Sequence, residues 1–134
     1  MQNIAVVSVP VSDQDRAKRF YTEQLEFELR ADAVFGDGLR WIQVAPRGAR
    51  SSLSLVTWFE QMPAGSLRGL VIDCTDLQRD YEALSERGVP FNAPPRDMPG
   101  GVFATLEDPD GNLLSLRQAD EPADGPGAAS ADRP

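Results

Sequence analysis

The sequence predicts an α+β domain made of two βαβββ modules in tandem, their strands forming a curved mixed sheet around a cavity. Three observations lead there. A strand, a cap and a short amphipathic helix occur twice, as "VVSVPVSDQDRAKRFYTEQLEFEL" and "GLVIDCTDLQRDYEALSERGVPF", in register at a separation of 63 residues. Each copy is followed by strand-like runs punctuated by turns. Only the eight residues "FEQMPAGS" join the halves, too few for a linker with structure of its own.

In the first helix Ser12 is expected as the N-cap, Asp15 is favoured by the helix dipole, and Ala17, Phe20 and Tyr21 share one face. In the second, Thr75 is expected to cap and Gln78 to complete a capping box, Leu77, Tyr81 and Leu84 form the apolar stripe, and Gly88 supplies the stop. The strand runs are "FELRADAVF", "LRWIQVAP" and "SSLSLVTWF", then "VPFNAPP", "VFATLED" and "NLLSLRQ", with "DPDGN" as the turn between the last two. The expected organisation is one domain over residues 1–118, with module one at 1–58 and module two at 67–118. A disordered acidic tail is expected over 119–134, where "ADEPADGPGAASADRP" has almost nothing apolar to bury.

Period-2 alternation separates the two faces of each strand. Val7, Val9 and Val11, Leu53 and Leu55, Leu70, Ile72 and Cys74, and Leu114 and Leu116 are expected under the helices. Val6, Ser8 and Pro10, Ser52, Ser54, Val56 and Trp58, Gly69, Val71 and Asp73, and Leu113, Ser115 and Arg117 are expected on the cavity side. Serines mixed with valines and a tryptophan suit a pocket wall better than a solvated face.

The formal charge of -8 argues against nucleic acid and anionic membrane as partners, since both would repel the chain on approach. A lone Cys74 makes no internal disulfide and the N-terminus lacks the pattern of a signal peptide, so the expected location is cytoplasmic. No apolar run approaches the roughly 20 residues needed to cross a bilayer. The chain contains no histidine, which removes the commonest general base and the usual borderline-metal ligand.

"VPVSDQDRAKRFYTEQLEFEL" resembles the opening strand and helix of the vicinal-oxygen-chelate superfamily, and "LEDPDGNLLSL" resembles its closing hairpin. With "IDCTDLQRDYEALSERGVPF" between them, the resemblance covers nearly all of residues 1–118. The superfamily includes glyoxalase I, extradiol dioxygenases, fosfomycin-modifying enzymes and metal-free proteins that sequester bleomycin-like drugs, so the fold alone does not settle function. Metal-using members carry one ligand on the first and last strand of each module. The positions that match here are Val6, Ser54, Gly69 and Ser115, none of them a normal ligand for a divalent metal. The resemblance also implies a homodimer, because members commonly build cavities across two subunits.

The expected function is a metal-free, cofactor-free small-molecule-binding protein that holds an aromatic or amphipathic metabolite or drug. Trp41, Trp58, Phe59 and Phe103 supply flat walls, Arg40 or Arg117 anchors a carboxylate or carbonyl, and Ser8, Ser54, Thr105 and Ser115 complete the lining. The alternative is a diverged lyase, isomerase or dioxygenase-like enzyme working through carboxylates such as Asp73 and Glu107 or through an atypical metal site.

Overall fold

A computed structural model describes residues 1–120. Module one runs β1 (Val6–Pro10), α1 (Gln14–Arg19) continuing into a π-helical turn (Phe20–Gln24), β2 (Glu28–Phe35), β3 (Leu39–Ala45) and β4 (Ser52–Val56). Module two runs β5 (Leu70–Asp73), α2 (Leu77–Glu86), β6 (Arg96–Met98), β7 (Gly101–Glu107) and β8 (Leu113–Ala119). Each module is one four-stranded mixed sheet, ordered β1-β4-β3-β2 and β5-β8-β7-β6. The first and last strands of each module pair in parallel, with Ser8 opposite Ser54 and Val71 opposite Ser115, and the other pairings are antiparallel. The tandem βαβββ architecture is therefore present. Ala119 belongs to β8, and the rest of the expected tail, from residue 121 onward, lies outside the described residues.

Both helices start one residue later than the sequence predicts. Asp13 and Asp76 are the N-caps, each accepting the backbone N–H three residues on, from Arg16 and Arg79. A carboxylate there meets both the orphan N–H and the positive end of the helix dipole. The Ser12 hydroxyl instead donates to Asp110, and the Gln78 amide donates to Glu82. Gly88, at φ +87°, ends α2 as expected; its N–H reaches the Ser85 carbonyl while that of Val89 reaches Leu84.

"VPFNAPP" does not form a strand. Pro90, Pro94 and Pro95 have no N–H to donate, so the segment makes only an isolated bridge at Phe91, and pairing resumes at Arg96 after the last proline.

Val9, Ile42, Val44 and Leu55 of the first sheet and Leu106, Leu114 and Leu116 of the second pack with Ala17, Phe20, Tyr21, Leu77 and Leu84 of the helices. This is one continuous core shared by both modules. Burying each such leucine or isoleucine contributes about 1.5–3 kcal/mol. Among the described residues no helix is long and apolar enough to cross a membrane.

Candidate functional site: two aromatic and hydroxyl walls

Alternation along β3 divides its side chains. Ile42 and Val44 enter the core under α1, and Arg40 has the same parity. Arg40 accordingly reaches Asp15 at 2.6 Å, beside the start of α1, and makes two bonds of 3.0 Å to Asp32 on β2. Its guanidinium pKa is pushed up by Asp32 first and Asp15 second. The expectation that Arg40 joins Trp41 in the site does not hold, because neighbouring residues of a strand face opposite ways.

Trp41 and Gln43 face the other side. The Trp41 ring stacks on Trp58 at 6.1 Å between centroids and 29° between planes, and Trp58 lies 6.1 Å from Phe59 at 53°. Trp58 and Phe59 follow β4 rather than belong to it, and Phe59 is 47% exposed. A depression of about 480 Å³ opens beside them, lined by Trp58, Phe59, Glu60, Gln61 and Met62.

The floor of this wall is more closed than the alternation implies. Ser52, Ser54 and Val56 are as buried as Leu53 and Leu55 on the opposite face. β4 lies between β1 and β3, and its hydroxyls are satisfied by neighbours: Ser54 sits 3.4 Å from the Ser8 hydroxyl, and Ser52 accepts from Gln43 at 2.6 Å.

Module two carries a second wall. Phe103 and Thr105 line a depression of about 330 Å³ with Asn92, Pro94, Arg96 and Met98. Thr105 and Ser115 share a hydrogen bond of 2.9 Å across β7 and β8. Arg117 lies opposite Phe103 in register but is held by Asp73, with bonds of 2.7 and 3.1 Å. Both expected anchors are thus already paired with carboxylates.

The site residues are therefore brought together in two groups. Ser8, Trp41, Ser54, Trp58 and Phe59 gather on module one, and Phe103, Thr105, Ser115 and Arg117 on module two. Among the described residues no strand pairing joins the sheets, and β1 and β5 are both edge strands. A third depression of about 510 Å³ runs along these edges, touching Ile4, Val7, Leu53, Leu70 and Val71. Gln43, Asn92 and Arg96 were not anticipated. Gln43 was accessible from the parity of Trp41, two residues away, whereas the proline-rich run around Asn92 carries no period that points inward.

The superfamily's metal positions do not fit a metal here. Val6 and Gly69 offer no donor atom, and the hydroxyls of Ser54 and Ser115 are engaged with Ser8 and Thr105. Among the described residues no three His, Cys, Asp or Glu side chains come together. Cys74 is no better placed for nucleophilic chemistry. Burial first, then Asp80, pushes its thiol up to about 12, so it stays protonated at neutral pH.

Residues 3–116 match the family described as the glyoxalase/bleomycin resistance protein/dioxygenase superfamily. The chain belongs to this superfamily. The uncharacterized protein YetH of Bacillus subtilis is 35% identical over 123 residues, spanning 88% of this chain and 99% of that one. Among solved structures, TnmS3, described as an antibiotic binding protein from Streptomyces sp. CB03234, is 48% identical with a TM-score of 0.85, covering 90% of this chain and 98% of its own. A glyoxalase/bleomycin resistance protein from the same organism is 50% identical with a TM-score of 0.79, covering 87% and 100%.

Proposed function

We propose that this superfamily member binds an aromatic or amphipathic metabolite or drug and holds it without chemical change. The observation that carries this reading is the stacked Trp41–Trp58 pair continuing into half-exposed Phe59. Flat rings left partly open beside a depression match the faces of a planar ligand, and such contacts need no reacting group. The hydroxyls of both walls are already paired, Asp73 is tied to Arg117, and Cys74 is a protonated thiol, so the walls offer recognition rather than acid–base or nucleophilic chemistry. Identity of 48% to an antibiotic-binding protein supports the same reading.

In this reading the complete cavity belongs to a homodimer. β1 and β5 leave open edges carrying the exposed Val6 and Val71, and each chain presents two separate walls. A second copy docking along those edges sets the tryptophan wall of one protomer opposite the Phe103 wall of its partner.

The test is calorimetry against a small-molecule extract, with mass analysis of what the protein retains and sedimentation to read its oligomeric state. The expected result is a dimer that returns its ligand unaltered. A ligand recovered as a new product refutes storage without chemistry, and a monomer that binds with full affinity refutes the shared cavity.

A further inference from the structure

Gln43 occupies an unusual place among the polar groups of the first wall. Its side-chain carbonyl accepts the Trp41 indole N–H at 2.9 Å, and its amide donates to the Ser52 hydroxyl at 2.6 Å. Ser52 in turn donates to the Ala5 carbonyl at 3.3 Å. The orientation of the amide is fixed by chemistry: an indole N–H only donates, so the Gln43 oxygen must face it and the nitrogen must face the serine. The relay therefore ties Trp41 to the backbone just before β1.

We propose that Gln43 is a positioning residue that holds the Trp41 indole N–H and so fixes that ring against Trp58, setting the plane on which a flat ligand stacks. The inference rests on the binding reading above only for its last step. An indole N–H that is partly buried must find an acceptor, and without Gln43 the ring turns toward water to find one. Trp41 stands on β3 and Trp58 beyond the end of β4, so no shared element holds the two rings parallel. With its N–H committed, Trp41 offers a ligand only its face. The wall then selects neutral planar polycycles by stacked area rather than through a hydrogen bond to the Trp41 indole.

Two stacked indoles couple their electronic transitions and give a paired positive and negative band in circular dichroism, which reads the geometry with no ligand present. Wild-type protein is expected to show this couplet and Trp58→Phe to lose it. Gln43→Leu should lose more than half of it, and Gln43→Glu, which keeps an acceptor, should retain it. Binding of the neutral tricyclic dye acridone, followed by fluorescence, should weaken about 3- to 10-fold in Gln43→Leu. A full couplet in Gln43→Leu, or one that falls only in proportion to an unfolded fraction measured by amide-region dichroism, overturns the proposal. So does equal loss in Gln43→Glu. If the couplet behaves as expected but wild-type protein binds no planar probe, positioning stands and the binding reading falls. If acridone binds and the couplet ignores Gln43, the reverse holds.

Discussion

Tyr21, on the π-helical turn of module one, donates its phenolic hydrogen to Asp108 Oδ2 in the last turn of module two at 2.8 Å, across 87 residues of sequence. The bond is buried, and burial first, then the Asp108 charge, pushes the phenol pKa well above its ordinary value, so Tyr21 remains a donor. Asp108 also accepts the backbone N–H groups of Asp110 and Asn112 and the Asn112 amide. Asn112 carries the link further, donating to the Pro10 carbonyl and accepting from the Leu67 N–H.

Removing one member of this clasp should cost less than stranding the rest. Tyr21→Phe is expected to lower stability by about 1–3 kcal/mol, because it deletes one buried bond and little volume. Asp108→Ala leaves four donors without their acceptor and should cost more. Urea denaturation of both variants checks the order; equal losses, or a neutral Asp108→Ala, would show that the clasp contributes nothing specific.

The two faces of the sheets should respond differently to truncation. Leu55→Ala or Leu116→Ala opens a void in the shared core and is expected to cost about 2–5 kcal/mol. Trp58→Ala, beyond the strand and beside an open depression, should cost clearly less stability yet weaken acridone binding by about 1–3 kcal/mol. Thermal melts paired with dye titration decide it. Were Trp58→Ala to unfold the protein as readily as Leu55→Ala, the tryptophan wall would be ordinary core.

How far the sequence could reach depended on which signals are local. The repeat survived because caps, stripe and stop are each encoded within a few residues, so shifting the caps to Asp13 and Asp76 moved both helices together. Arg40 was misplaced by chemistry overriding parity: a guanidinium looks like a ligand anchor, but its neighbour Trp41 cannot share its face. The burial of Ser52 and Ser54 was hidden because serine looks the same in sequence whether it meets water or a neighbouring hydroxyl. The Tyr21–Asp108 clasp leaves no trace in any periodicity, since turn formation already accounts for the aspartate and asparagine of "DPDGN" and nothing local signals their second role toward Tyr21, Pro10 and Leu67.

Acid should weaken the outer face of module one. The Arg40 hydrogen bonds, then that of Lys18, hold the Asp32 carboxyl well below the usual carboxylate range. A folded-state pKa below the unfolded value of about 3.9 means the contribution is fully present above roughly pH 4 and is lost as pH falls through the folded value. Asp32→Asn should therefore melt below wild type at neutral pH, with the gap narrowing in acid. The pairs are partly exposed, so the gap should also shrink in high salt. A gap that ignores both pH and salt would refute an ionic origin.

Metal removal should change nothing. Elemental analysis after dialysis is expected to find no stoichiometric transition metal, and a chelator should leave the melting temperature where it was, because Val6, Ser54, Gly69 and Ser115 supply no ligand set. About one metal per chain would overturn this and reopen the enzymatic alternative.

The clasp also sets an order of events during synthesis. Every residue of the first module has been made by the time Leu67 joins the chain, yet the Tyr21 hydroxyl and the Leu67 N–H both wait for partners at 108 and 112. The first half therefore leaves the ribosome with buried polar groups unmatched and its side of the core uncovered. It cannot finish folding until nearly the whole chain has followed it. A chain cut short after the first module is expected to form no stable half, because the core it shares with the second module stays uncovered.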